Sequence, residues 1–312
     1  MDKKTKILID MDIGDEIDDA LALYLAMKMG YDIVGVTTVF RNTMERARIA
    51  KNLLKKFGNG YERVPVYAGY GAPTGERERE YPHTCQYSPE IDADELTPDG
   101  SCPDNAIDFI ISACKKYSSE LTLVCIGPFT NIAKALERDP SVFDGIGKVV
   151  IMGGAFFKQY ADWNVMCDVT AADLMFKGVK NLECIGADVT HQLPLDKENY
   201  DKLLTYSGSD AAADYIRELL LLWQKENPDR IPALHDPLAV YYVDHPDVCG
   251  MESQSITVIT EGVAKGLTLN IDAYTKAYMN PDCKALDLSK KIKVAKTVKK
   301  SEFMRAFMSS FE

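Results

Sequence analysis

ILIDMDIGDEIDDALALYLAMKMG, residues 7–30, decides how the rest of the chain is read. A short apolar run ends in alternating aspartates, and a longer run that is apolar nearly all round starts just after a second acidic pair. The first run predicts a buried strand, the second a buried helix stopped by Gly30. Between them the six acids Asp10, Asp12, Asp15, Glu16, Asp18 and Asp19 crowd into ten positions.

The same alternation continues outward. DIVGVTTV precedes MERARIAKNLLKKFG, LTLVCIG precedes TNIAKALER, and KVVIMGGAF and NLECIGADV follow. Helices of this length between near-continuous apolar strands predict an α/β fold: an open, mostly parallel sheet with helices on both faces. Such sheets place ligands beyond the carboxyl ends of their strands, which is where Asp10 and Asp12 fall. With no internal repeat, low-complexity tract or linker, residues 1–312 read as one domain with polar excursions near 70–104 and 225–234.

A hydrophobic content of 46% and a charged content of 27% suit a globular chain with a sizeable core. The net charge of -11 argues against nucleic acid or a membrane surface as partner, because both are anionic. Asp10 and Asp12 break the first apolar run well short of a signal peptide, and nothing approaches the ~20 apolar residues of a membrane span. Eight cysteines without a CxxC pair, several inside apolar runs, read as reduced thiols in a cytoplasmic protein.

Two readings compete for the acidic stretch. Helix capping, at about 0.5–2 kcal/mol per cap, accounts for one or two of the six acids. It leaves Asp10 and Asp12 at a buried strand end without partners, a costly arrangement for carboxylates. A hard cation such as Ca²⁺, which takes oxygen ligands, accounts for the crowding. An EF-hand loop does not fit, because Asp15 and Leu21 stand at its sixth and twelfth positions from Asp10. The DxD of magnesium-dependent, haloacid-dehalogenase-type phosphatases is the alternative, with Asp10 as nucleophile and Gly14 departing from that motif.

The stretch resembles the opening DxDxGxDD of the inosine–uridine-type nucleoside hydrolase family. Four further segments match in the family's order: VGVTTVFRN (35–42 within it), LVCIGPFTNIAKAL (123–136), VVIMGGAF with DWN (149–156 and 162–164), and LHDPLAV (234–240). The resemblance implies a Rossmann-like hydrolase fold and calcium-dependent hydrolysis of ribonucleosides to ribose and free base, as in nucleoside salvage, by a homodimer or homotetramer. It implies Asp12 as base and calcium ligand, Asp19, Asp236 and the Thr130 carbonyl as further ligands, and Asp18, Asn42, Asp162 and Asn164 on the ribose. Asp162 stands where the family usually has Glu, and Arg41 where it has glycine, so a catalytically weak nucleoside- and calcium-binding protein is the other alternative.

The chemistry fits the residues. Cleaving an N-glycosidic bond builds positive charge on the ribose, which calls for nearby negative charge, a placed water and a way to neutralise the leaving base. Calcium acidifies water less than zinc does, so a carboxylate base such as Asp12 is needed. His235, beside Asp236, is a candidate acid for the leaving base, since imidazole ordinarily titrates near neutrality. His191 reads as structural, and His83 as a loop or lid residue. Trp163, Tyr160, Phe156, Phe157 and Trp223 can stack on a base but are more often core, Trp163 being favoured by its neighbours Asp162 and Asn164. Gly14 is followed by Asp15, Glu16 and Ile17, so alignment from the strand side selects Asp15 and Glu16. Alignment from the helix side selects Asp18 and Asp19, and the apolar run favours it.

Overall fold

Five of the six residues of the first strand, β1 (Lys6–Met11), are buried, as the apolar run requires of a strand covered on both faces. The computed structural model describes residues 4–88, 99–206, 210–272 and 290–311. Following β1 along the chain are β2 (Asp32–Thr38), β3 (Val66–Ala68), β4 (Leu121–Cys125), β5 (Lys148–Met152), β6 (Leu182–Ile185), β7 (Cys249–Gln254), β8 (Ile256–Val258), β9 (Thr268–Asn270) and β10 (Ile292–Val298). Eight of them form one sheet in the order β3-β2-β1-β4-β5-β6-β10-β7, and β8 and β9 form a separate antiparallel pair. Only β7 runs antiparallel in the large sheet, against β10. The open, mostly parallel α/β sheet expected from the sequence is what the chain forms.

Eleven helices lie between or after these strands among the described residues: α1 (Asp18–Lys28), α2 (Thr43–Phe57), α3 (Pro103–Tyr117), α4 (Thr130–Arg138), α5 (Trp163–Cys167), α6 (Val169–Gly178), α7 (Ala187–Thr190), α8 (Lys197–Thr205), α9 (Ala211–Glu226), α10 (His235–Tyr242) and α11 (Lys300–Ser309). Leu21 of α1, Leu53 of α2, Trp223 of α9, Leu238 of α10 and Phe303 of α11 belong to the hydrophobic cluster on one side of the sheet. Ile107 of α3, Ile132 of α4 and Met175 of α6 belong to the cluster on the other.

Strand order reverses at β1, whose chain continues to β2 on one side while β4 flanks it on the other. The carboxyl ends of strands diverge at such a reversal and leave a crevice. Ten of the eleven residues of α1 are buried, which fixes this helix at the edge of that crevice. At about 1.5–3 kcal/mol per buried leucine, Leu21, Leu23 and Leu25 keep the first turn of α1, with its two aspartates, from moving.

The first polar excursion is described in part, residues 89–98 lying outside the described residues. Its segment 83–87 packs under the acidic stretch: Gln86 N donates to the Gly14 carbonyl at 2.9 Å, and Gln86 Nε2 to the Glu16 carbonyl at 2.7 Å. The seven cysteines within the described residues are all free thiols, and Cys283 lies outside them. Among the described residues no helix is long and apolar enough to cross a membrane.

Candidate active site

Asp10, the last but one residue of β1, is sealed from solvent. Thr37 Oγ1 and Asn131 Nδ2 donate to its Oδ1 at 2.5 and 2.8 Å, and its Oδ2 has no partner. Burial pushes its carboxyl up to about 7 against the pull of these hydrogen bonds. Asn131 also donates to the Thr38 carbonyl and accepts from Tyr70 N, so Asp10 joins β1, β2 and the start of α4. A nucleophile needs access to substrate; Asp10 has none and is absent from the cavity wall.

Two residues on, Asp12 faces a cavity of about 450 Å³. Gly127, in the turn after β4, makes room for it, since a Cβ there would lie 2.9 Å from Asp12 N and 3.0 Å from its Oδ1. Asp12 N donates to Asp19 Oδ1 at 3.1 Å, and Asp236 N, in the first turn of α10, donates to Asp18 Oδ2 at 3.4 Å. Helix α1 begins after Ile17 without a side-chain cap. The aspartates of its first turn therefore serve the crevice rather than their own helix.

Oxygens of Asp18, Asp19 and Asp236 all lie within 4.8 Å of one another. Burial raises Asp12 and Asp18 to about 7 and pushes Asp19 and Asp236 well above the usual carboxylate range; the charges of Asp12 and Asp18 further raise Asp19, and those of Asp18, Asp19 and Asp12 further raise Asp236. Among the described residues none of the four forms an ion pair with a basic side chain, and Arg46, the nearest guanidinium in effect, spends its donors on carbonyls and Asp15. Four carboxylates gathered on one cavity, none of them ion-paired among the described residues, are the kind of donor set a hard divalent cation takes.

The inserted acids also line the cavity, but they are already paired. Asp15 Oδ2 pairs with Arg46 Nη2 at 2.7 Å and more loosely with Arg41 at 3.8 Å. Glu16 accepts from Trp223 Nε1 at 2.8 Å and pairs with Arg230 at 2.9 Å. This division of partners supports Asp18 and Asp19, the pair selected from the helix side, as the acids free to hold a ligand.

Asp162 caps α5, its Oδ1 accepting from Val165 N at 3.3 Å, and burial raises it to about 6. Asn164 Nδ2 donates to the carbonyls of Ile126 and Met152, both at 3.1 Å. Both residues line the cavity beside Tyr160 and Trp163, whereas Phe156, Phe157 and Trp223 do not. Trp163 is 57% exposed, with its ring edge-on to Phe40.

Two expected residues fall away from the cavity wall. Asn42 caps α2, its Oδ1 accepting from Glu45 N at 3.4 Å, because the chain enters that helix directly after β2. Thr130, in the first turn of α4, is buried with its hydroxyl donating to Asp168 Oδ2 at 2.8 Å. The residue of that segment on the cavity is Ile126, at the carboxyl end of β4.

His235 Nδ1 lies 2.8 Å from Thr190 Oγ1, and burial lowers the imidazole to about 4. Burial thus favours its neutral form, where the sequence led to an imidazole titrating near neutrality. His191, expected to be structural, lines the cavity with its ring edge-on to both Tyr160 and His235. Arg41, Arg230 and Ile231 complete the mouth. His83 stands outside it, joined to Glu45 on α2. Sequence reasoning missed Arg46 altogether, although its spacing to Ile49, Ala50, Leu53 and Leu54 puts it on the buried face of α2.

A profile of the inosine-uridine preferring nucleoside hydrolases matches residues 7–305. The chain is 31% identical over 283 residues to the inosine-uridine preferring nucleoside hydrolase of Leishmania major, covering 85% of this chain and 87% of that one. It is 28% identical over 281 residues to a probable uridine nucleosidase 1 of Oryza sativa subsp. japonica, covering 85% of each. Among solved structures, a plant nucleoside hydrolase superposes with a TM-score of 0.81 at 25% identity over 99% of both chains. A purine-preferring ribonucleoside hydrolase from Gardnerella vaginalis does so with 0.75 at 25% identity over 98% of both.

Proposed function

Because the chain belongs to the inosine-uridine preferring nucleoside hydrolase family and is an N-ribohydrolase of ribonucleosides, we propose that it works with Ca²⁺ held by Asp12, Asp19, Asp236 and the Ile126 carbonyl. The observation that carries this reading is the gathering of Asp12, Asp18, Asp19 and Asp236 on one cavity with no basic partner among the described residues. When bound, the cation supplies the missing countercharge, returns these carboxylates to their ionised form and fixes a water and the ribose diol in one geometry.

Asp12 takes the proton of the water that attacks the anomeric carbon, and the bond to the base nitrogen breaks with its electrons leaving on the base. Asp18, Asp162 and Asn164 hold the ribose hydroxyls. The negative charge of Asp18 and Asp162, with that of Asp12, favours the cationic character of the ribose as the bond lengthens. His235 acts as a neutral imidazole: when Nδ1 accepts from Thr190, Nε2 carries the hydrogen and can donate it in a hydrogen bond to the departing base. The exposed faces of Tyr160 and Trp163 offer that base a stacking surface. The relatives split between uridine, purine and inosine–uridine preference, so the base is set by this rim rather than by the family. A homodimeric or homotetrameric cytoplasmic enzyme of nucleoside salvage goes with the reading, and sedimentation equilibrium measures the assembly.

The test is reducing-sugar release from purine and pyrimidine ribonucleosides with calcium and after complete chelation. Release that vanishes on chelation and returns with Ca²⁺ upholds the proposal. Release that survives chelation removes the metal from it.

A further inference from the structure

Arg46 has no exposed surface, yet it meets only one acid at hydrogen-bond distance. Its Nε donates to the Phe40 carbonyl at 2.7 Å. Nη1 donates to the carbonyls of Asp12 and Ile13, the latter at 3.0 Å, and Nη2 donates to Asp15 Oδ2 at 2.7 Å. These acceptors come from two separate loops, the one leaving β1 and the one leaving β2. A charge placed only to pair with Asp15 needs one nitrogen; this guanidinium uses all three, and its planar fork reads a fixed arrangement of carbonyls.

The loop it holds is the one that carries Asp12. The same loop is also met by the excursion, with Gln86 N donating to the Gly14 carbonyl and Cys85 Sγ to the carbonyls of Gly14 and Asp15. Gly14 turns there at φ +129, and a Cβ on it would lie 3.0 Å from Thr84 Oγ1. The strap 12–16 is thus held both by Thr84–Gln86 and by Arg46, and of these two only Arg46 bonds to Asp12 itself.

We propose that Arg46 is a positioning residue of the hydrolytic site: it fixes the main chain of Asp12 and Ile13, and through it the Asp12 carboxylate, with Asp15 as its countercharge and not a cation ligand. The assignment rests on the role given to Asp12 above. It differs in sign from a simple electrostatic role. A positive charge beside the acids opposes a bound cation, so removing the charge alone would tighten cation binding. Removing a clamp loosens it.

The experiment compares the full-length wild type with Arg46→Met, Arg46→Lys and Asp15→Asn, each checked for folding by thermal melting. Steady-state kinetics on nucleosides are run at saturating calcium, and Ca²⁺ alone is titrated by calorimetry. Arg46→Met is expected to lower kcat by about 30-fold or more with KM changed less than about threefold, because a misplaced base loses transition-state rather than ground-state binding. Its calcium affinity should fall by about fivefold or more, and Arg46→Lys, which keeps the charge but not the fork, should fall in the same direction to a smaller extent. Asp15→Asn should cost about threefold at most, as the carbonyl bonds remain. Folded Arg46→Met or Arg46→Lys with kcat near that of the wild type, or a calcium affinity that rises in Arg46→Met, would overturn the proposal. Arg46→Lys decides the matter should Arg46→Met not fold. A wild type without nucleoside turnover would strike the hydrolytic role of Asp12, and the calcium titrations would still judge the clamp.

Discussion

The floor of the cavity and its rim are built in opposite ways. Asp18, Asp19 and Asp236 are buried, and Asp12 and Asp18 are held by bonds that cross from one element to another. At the rim, Tyr160 and Trp163 are 43% and 57% exposed, and Arg41 and Arg230 reach acids only at the mouth. Bond breaking demands atoms fixed to fractions of an ångström, whereas choosing among flat bases tolerates movement. The difference teaches that chemistry and base choice can be altered separately.

The sharpest break is Asp12→Ala. Loss of a positioned general base costs roughly 10²–10⁴-fold, and steady-state kinetics at saturating calcium should show about 10³-fold lower kcat/KM. A loss under tenfold would move the base elsewhere in the floor.

His235 stands between floor and rim. His235→Ala should slow natural nucleosides by about 10²-fold, within the usual range for assisted proton delivery, and nitrophenyl ribosides by less than about threefold. Its lowered pKa means that kcat/KM should show no falling limb near the ordinary histidine value of about 6.5. Equal losses on both substrates would remove it from leaving-group assistance.

The floor should also carry a pH signature. In metal-free protein Asp12 and Asp18 titrate near 7 against about 3.9 when unfolded, so between these values the folded form binds more protons. Stability from these groups is fully present below about 4 and is lost as pH rises through about 7. Melting of chelated protein should therefore fall from about pH 5 to 8, and calcium should flatten the slope. Proton release on calcium binding, read by calorimetry in buffers of different ionisation heat, should appear below about pH 7. Absence of both would mean the acids stay ionised without a cation.

The smallest effect belongs to the rim. Trp163→Ala should raise KM by about three- to tenfold with kcat within twofold, as one lost aromatic contact of about 0.5–1.5 kcal/mol predicts. A larger fall in kcat would place Trp163 in the floor's work.

How much of this was legible follows the same division. Strand β1 and helix α1 were readable because each buries a continuous apolar run, and the run of α1 fixed which aspartates reach the crevice. Asp236 and Asp162 came through motifs whose spacing the fold preserves. Thr130 and Asn42 stand off the cavity wall, which Ile126 and Arg41 of the same segments line, because a motif tells which turn meets the cavity and not which residue of it does. Arg46 was hidden for another reason: its partners are main-chain carbonyls, which no residue letter records. The pKa of His235 lay beyond the sequence too, since it depends on how closely α10 and α7 enclose the ring.

Strand β10 comes last of the ten in sequence yet lies inside the sheet, parallel to β6 and antiparallel to β7. Synthesis on the ribosome therefore delivers the whole acidic floor, Asp236 included, before the sheet that carries it can close. Until residues 292–298 emerge, β6 waits without its native neighbour, offering an open edge of the kind through which nascent chains aggregate. A chaperone that covers the edge of β6 during that interval is expected to raise the yield of folded chain.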